Sequence, residues 1–418
     1  MNIEVEKSYR LLRFINKPRP RIVRFLYGIS AWVSLLVLGA PLGVATDSFR
    51  LAMDPNGIKI VIRRLIWFAN ASWLPVSIRS DYFFDISEKL GSNGCRALIA
   101  WLENNSRIDE FDRSIWLAEL HGGILERECE RHGELVIRNG DPMKQDDDNF
   151  ITRLNESLKV LSKKIVYGSS SQEKIKKFNK AGGSFDKADA YEAIADFRTL
   201  METLEWPWYV VSGTFLGAVR EQDFLGHDYD IDVGVDEEYF SFSMLKEKVS
   251  ASDEWFIKAA NYCTFREKSD ENFVRYYQLE QPILVKLVHK SGLVADLFVH
   301  IKEGDVVWHG SPIHRWDNSA FDLAVYQLGH ETVLGAKDAD RYLTENYGDW
   351  RTPVYQFDCS IDPPNIRYSR TARSVTYLCK VAYRLFLDGE TAKAQRYLTS
   401  LEAAGVVIRS ESGFRFNG

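Results

Sequence analysis

The chain has 418 residues, with 59 acidic and 53 basic side chains and a formal net charge of −6. Hydrophobic content of 45% and charged content of 27% exclude a wholly disordered chain, a collagen-like repeat and a polytopic membrane protein, and the length allows two or three domains with their own cores. A net-acidic chain lacks the Lys/Arg surplus that neutralising nucleic-acid phosphates requires, and five scattered cysteines with no Cys-x-x-Cys pair argue against a disulfide framework.

The charge is unevenly spread. Residues 1–24 carry seven basic side chains against Glu4 and Glu6, a local +5 that leaves −11 for the remainder. Residues 25–46 then run for 22 positions without a charge, about 33 Å as a helix and so about the thickness of a bilayer core. A cleaved signal peptide would end at Gly43-Val44-Ala45, but its basic lead would be long. A single spanning helix would hold its N-terminus in the cytoplasm, although Gly39, Pro41 and Gly43 break its last turns. A second apolar stretch, residues 60–78, contains Arg63 and Arg64, and a turn at Asp54-Pro55-Asn56-Gly57 would fold the two stretches into a hairpin at an anionic membrane surface. A buried core helix is the remaining reading. Residues 1–79 are therefore expected to form a basic arm with a membrane-associated helical region, on the cytoplasmic face of the inner membrane or, alternatively, as a single-pass Golgi anchor.

Residues 80–167 alternate apolar and charged positions at helical spacing. Asp146-Asp147-Asp148 stands where a helix N-terminus is favoured, rather than as a metal site. His121, Cys129 and His132 read as solvated helix residues in preference to zinc ligands. Residues 168–187, rich in Ser, Lys and Gly, read as a linker.

Residues 188–204 have helical apolar spacing and are stopped by Pro207. WYVVSG then reads as a short strand and TFLGAVRE as a helix. A strand ending at Gly213-Thr214 and feeding a helix presents backbone N–H groups suited to phosphate oxygens. The run GHDYDIDVGV places Asp228, Asp230 and Asp232 two apart, so Asp230 and Asp232 project from one face of a strand. Paired carboxylates are costly unless a cation joins them, and a hard divalent ion with oxygen ligands meets that need. Asp296, the only acid in the apolar run LVADLFVH, is the third candidate, as a metal ligand or proton acceptor.

Residues 213–235, GTFLGAVREQDFLGHDYDIDVGV, resemble the signature of the LicD/fukutin family, approximately G-T-L-L-G-A-x-R followed by D-x-D-I-D-x-G. VADLFVH, VWHGSPIHRW and YLTENYGDWRTP resemble the family's downstream motifs in the same order, so the likeness spans about residues 188–364. It implies an α+β nucleotidyltransferase fold, a mixed sheet flanked by helices. It also implies a Mg²⁺-dependent (or Mn²⁺-dependent) phosphotransferase that moves ribitol phosphate, phosphocholine or glycerol phosphate from a CDP-linked donor to a hydroxyl of a glycan or lipid-linked glycan, in cell-surface polysaccharide or lipopolysaccharide biosynthesis. Carried over, Gly213 and Thr214 hold donor phosphates, Asp230 and Asp232 the metal, and Asp296 the metal or the acceptor proton. Arg220 steadies the acidic strand or meets a phosphate, or is a surface ion pair. Asp349, Trp350 and Arg351 contact acceptor or donor, or the tryptophan anchors packing. Two departures are Gly226-His227, where many members have Pro-Trp, and Tyr229, where the family has an acid. An NTP-dependent nucleotidyltransferase acting on a small alcohol, and a membrane-bound pseudoenzyme serving as a glycan-binding or assembly module, are the alternatives. Residues 365–418 read as two helices around Asp388-Gly389, and no pattern fixes an oligomeric state.

Overall fold

The computed structural model describes residues 20–418 except 55–56, 74–84, 106–107, 168–185, 227, 270–272, 355–356 and 412. Most of the basic arm, nearly all of the 168–187 linker and the centre of the 54–57 turn lie outside the described residues. The chain divides into two compact units. One comprises the described parts of 178–263 and 279–367, the other those of 16–177, 264–278 and 368–418.

The second unit is mainly helical. It holds α1 (Arg21–Val37), α2 (Leu42–Ala52), α3 (Ile58–Trp73), α4 (Ser92–Glu103), α5 (Glu110–His132) and α6 (Lys144–Tyr167), and later α11 (Ala372–Leu387) and α12 (Thr391–Ala403). A three-stranded sheet in the order β1 (Glu134–Arg138), β6 (Phe273–Gln278), β5 (Thr264–Ser269) and a hairpin of β14 (Val407–Ser410) and β15 (Gly413–Phe416) complete it.

The uncharged run 25–46 does not form one helix. α1 ends at Val37, Gly39 takes a φ of 80°, and Pro41 stands just before α2, so the run is divided between two helices that pack together. Gly28 permits their close approach, since a Cβ there would lie 2.9 Å from the Phe49 ring. Ala31, Leu51, Ala52 and Val61 form a core cluster shared by α1, α2 and α3. The polar residues of these stretches bond inward. Asp47 Oδ2 accepts the Gly91 N–H at 2.9 Å, and buried Arg64 donates to Ser48 Oγ at 3.0 Å and to the Glu88 carbonyl. Burial pulls the Arg64 pKa down to about 10. The expected membrane-associated region is therefore corrected, and with it the inner-membrane face and the Golgi anchor. α1 has 17 residues, the charge-free length a bilayer needs is split by Gly39 and Pro41, and no helix among the described residues is long and apolar enough to cross a membrane.

α5 is buried on most sides, opens on an Asp109 cap and closes at Gly133 with φ 76°. The acid run lies in the first turn of α6, and two of its carboxylates are committed within the protein. Asp146 takes Arg96 at 2.8 Å and His121 at 3.0 Å. Asp147 accepts from Arg266 Nε at 3.1 Å and from the Tyr276 hydroxyl at 3.0 Å. His121 and Cys129 are buried rather than solvated.

The first unit starts with α7 (Lys187–Leu204), capped by Asp186, whose buried face carries Ala190, Ile194, Phe197, Met201 and Leu204. It continues through β2 (Tyr209–Val210), α8 (Ser212–Arg220), β3 (Asp230–Asp236), α9 (Phe242–Ala251), β4 (Trp255–Asn261), β7 (Leu284–His289), β8 (Val294–Glu303), β9 (Val306–Gly310), β10 (His314–Ser319), β11 (Leu323–Leu328), β12 (Glu331–Ala336), α10 (Ala339–Tyr347) and the edge strand β13 (Ile366–Tyr368). The main sheet runs β13-β10-β9-β8-β3-β2, with β7 also on β8 and β4 on β7, while β11 and β12 form a separate hairpin. The β3–β8 pair is parallel, and the β2–β3, β7–β8 and β8–β9 pairs are antiparallel. The architecture is α+β, a mixed sheet with flanking helices. Its core lies between the sheet and α7, α8 and α10, around Phe197, Phe215, Val233, Leu297 and Leu343.

Candidate active site

Strand alternation builds the site. On β3, Ile231, Val233 and Val235 are buried in the core, and Asp230 and Asp232 take the opposite face. The neighbouring strand β8 sets Asp296 in register with Asp232, and β7 sets Lys286 in register with Asp296. Asp232, Asp296 and Lys286 thus form a row across three strands. Asp230, Asp232 and Asp296 bring one carboxylate oxygen each within 4.8 Å of one another. Asp296 is 6% exposed. Its Oδ2 accepts from the Lys286 ammonium, and its buried Oδ1 has no hydrogen-bond partner among the described residues.

The strand-to-helix turn holds this row from one side. Ser212 takes a left-handed φ of 47°, which for a residue with a side chain is strained. The Gly213 N–H donates to Asp232 Oδ2 at 3.2 Å. Thr214 is fully buried, and its Oγ1 accepts the Asp232 N–H at 2.9 Å. A Cβ on Gly213 would stand 3.2 Å from Asp228 Oδ2, so a fourth carboxylate leans over the glycine.

Burial, then the charges of Asp230, Asp296 and Asp228, push the Asp232 carboxyl well above the usual carboxylate range. The phenols of Tyr342 and Tyr347 are raised by burial and then by Asp232. Tyr229, exposed at the rim, is raised chiefly by Asp230. Repulsion among carboxylates, an orphaned buried oxygen and an all-oxygen donor set fit a hard divalent cation.

The remaining expected residues lie elsewhere. Arg220 ends α8 and pairs with Glu221 at 3.4 Å. Asp349 accepts from the Thr352 hydroxyl at 2.7 Å. Trp350 Nε1 and Arg351 Nη2 both donate to Asp340, at 3.0 and 2.7 Å, with the guanidinium 4.4 Å from the indole centroid. These side chains engage one another and α10. His227, part of the Gly226-His227 departure, lies outside the described residues.

Three site residues were not anticipated from the sequence. Lys286 had a usable signal, a lone charge in the apolar run ILVKLV, the same reasoning that singled out Asp296. Tyr342 and Tyr347 lie in the family-like motif YLTENYGDWRTP, but only Asp349, Trp350 and Arg351 of that motif were singled out, because aromatics on a helix read as core.

A second group able to hold a cation is Asp196, Glu254 and His289. There the Lys290 ammonium stands 2.9 Å from Asp196, 2.6 Å from Glu254 and 2.9 Å from Glu192, and His289 Nε2 is 3.0 Å from Asp196. An internal cation already satisfies that cluster.

Residues 205–329 match the LicD/FKTN/FKRP nucleotidyltransferase domain. The matched segment contains Gly213, Thr214, all three acids and Lys286, and ends before Tyr342. The chain is also similar to "Uncharacterized protein RP689" of Rickettsia prowazekii (strain Madrid E), at 23% identity over 199 residues. That likeness covers 46% of this chain and 65% of the Rickettsia protein. The domain match and the acid cluster support transferase activity in general terms, of the nucleotidyl or phosphoryl kind.

Proposed function

We propose that the Asp230/Asp232/Asp296 unit transfers a phospho-alcohol, such as ribitol phosphate, phosphocholine or glycerol phosphate, from a CDP-linked donor to a hydroxyl of a glycan. The observation that carries this reading is the register pairing of Asp232 with Asp296, beside Asp230 and next to the strand-to-helix turn at Gly213. The three carboxylates would hold Mg²⁺ or Mn²⁺. Such an ion, when bound, supplies positive charge that offsets the phosphate oxygens and the leaving nucleotide.

The chain's own residues do the rest. The first turn of α8 would meet a phosphate oxygen, with the Gly213 N–H turning to it from Asp232 Oδ2, and Thr214 fixes Asp232 from below. Asp296 accepts the proton of the acceptor hydroxyl as its oxygen bonds to phosphorus. The phosphorus–oxygen bond to CMP breaks in line, and the proton passes on to solvent. Tyr342 and Tyr347, held protonated, can each donate a hydrogen bond but cannot serve as a base. The Trp350–Arg351 surface is proposed to meet the acceptor or the donor, and Arg220, paired with Glu221, is assigned no part.

The test is incubation of the purified chain with CDP-ribitol, CDP-choline, CDP-glycerol and NTPs, with and without Mg²⁺. CMP release that requires the cation and is lost in Asp230→Asn supports the reading. Pyrophosphate release from an NTP instead moves it to nucleotidyl transfer, and release of neither overturns it.

A further inference from the structure

We infer that Lys286 is an exchangeable counter-ion, which holds Asp296 while the acid cluster lacks a divalent cation and turns to the donor's phosphate oxygens once one is present. The inference rests on the proposed phosphotransfer for its donor half. Its cation half stands on the geometry alone.

Lys286 lies opposite Asp296 in the β7–β8 register and its ammonium reaches that carboxylate. The lysine side chain is 33% exposed and the Asp296 side chain only 8%, so the carboxylate is fixed while the ammonium sits at the open side. A Lys stem has four rotatable carbons and three donors, so it can leave Asp296 without any movement of the backbone. Lys290, in the same unit, shows the contrast. It is shared by three carboxylates, and its departure would strand all of them. Lys286 has one carboxylate partner among the described residues, and a cation at the acid cluster would take over that partner.

Charge decides the direction of the move. Asp230, Asp296 and Asp228 crowd Asp232 with negative charge, and the Lys286 ammonium stands on the Asp296 side of that cluster. An arriving divalent cation satisfies the carboxylates but is repelled by the ammonium beside them. An incoming polyanion is the one partner that lowers the energy of both cations. Cation and donor then favour each other's binding, which is a reciprocal coupling.

The test uses the full chain, titrated with Mn²⁺ alone and then with CDP in the presence of Mn²⁺. In Lys286→Gln, Mn²⁺ should bind about tenfold tighter or more than in wild type, because a competing charge is gone, while CDP should bind about tenfold weaker. Lys286→Arg should restore CDP binding and leave Mn²⁺ affinity near wild type. A lysine serving only to hold the fold would instead give a lower melting temperature and unchanged or weaker Mn²⁺ binding, and that result overturns the inference. Lys286→Met repeats the measurement should the amide variant fold poorly. If wild type itself binds no Mn²⁺, the proposed function fails too; if it binds Mn²⁺ and Lys286→Gln binds it no tighter, only the exchange fails.

Discussion

Asp296 stands in register with Asp232 across a parallel strand pair, so two buried or half-buried carboxylates face the same side of the sheet as direct neighbours. Like charges opposite each other in a sheet are destabilising, and Asp230 and Asp228 add to the repulsion. Among the described residues, the Lys286 ammonium answers Asp296 directly. The fold thus holds a charge arrangement that a bound cation or a proton on Asp232 would relieve, a pattern that marks functional carboxylate clusters.

Asp232→Asn is expected to stabilise the protein when divalent cations are removed and to abolish its function. A carboxyl whose pKa is raised by folding binds protons more tightly in the folded state. Stability is therefore lost as pH rises above the ordinary carboxylate pKa, towards the raised folded value. In EDTA at pH 7.5 the variant should melt about 2–4 °C higher, the shift that roughly 1 kcal/mol produces in a domain of this size. Added Mg²⁺ should raise the melting temperature of wild type and not of the variant, and turnover should fall about 100-fold or more. An equal Mg²⁺ response in both proteins would show that Asp232 is not a ligand.

Thr214→Val removes the acceptor for the Asp232 N–H and leaves that donor in a buried place. An unsatisfied buried donor costs about 1–3 kcal/mol, so the urea midpoint should fall. Activity should fall further than stability, because the backbone that aims Asp232 is released. Thr214→Ser keeps the hydroxyl and should recover most of both. Equal activity in the valine variant at a temperature where it is fully folded would rule out the positioning role.

How much of this could be read beforehand follows from the physics of each element. The spacing of Asp230 and Asp232, and the solitude of Asp296 in LVADLFVH, are strand signals, because period-two alternation ties sequence position to sheet face. The α+β core and its mixed sheet were implied by the family-like motifs. The N-terminal run misled because charge-free length alone cannot tell a bilayer from a neighbouring helix. Gly39 and Pro41 were readable as helix breakers, but the inward bonds of Asp47 and Arg64 are tertiary facts. Lys286 and the two tyrosines reach the site only through the placement of β7 and α10, which a linear pattern does not encode.

Lys380 and Glu119 form an ion pair with side chains 3% and 2% exposed, within the helical unit. Lys380→Met alone strands a carboxylate whose pKa burial already pushes well up, and should cost about 3–5 kcal/mol. Replacing both residues with apolar side chains of similar volume should cost much less, since the desolvation of both charges is removed together. Denaturant titration of the two single variants and the double variant gives the comparison. Additive losses would mean that the pair is not coupled.

His300 and His309, 2% and 1% exposed, lie with ring centroids 4.5 Å apart, between Tyr209, Phe298 and Trp316. Burial lowers His300 to about 3 and His309 well below its ordinary value, and lowers neighbouring His314 to about 4. The nearby charged group on β3 is Asp236, which accepts the Tyr209 hydroxyl at 2.6 Å. A histidine lowered by folding is neutral in the native state and protonated in the unfolded chain below about pH 6.5. The unfolded chain then binds more protons, so stability is full above that pH and is lost as pH falls towards 3. The full span for His300 is worth at most roughly 5 kcal/mol. Urea midpoints measured from pH 7.5 down to 4.5 should fall steadily in wild type. They should fall less steeply in His300→Phe, which keeps the ring and removes the titrating nitrogens. Parallel curves for the two proteins would mean that other groups set the acid limit.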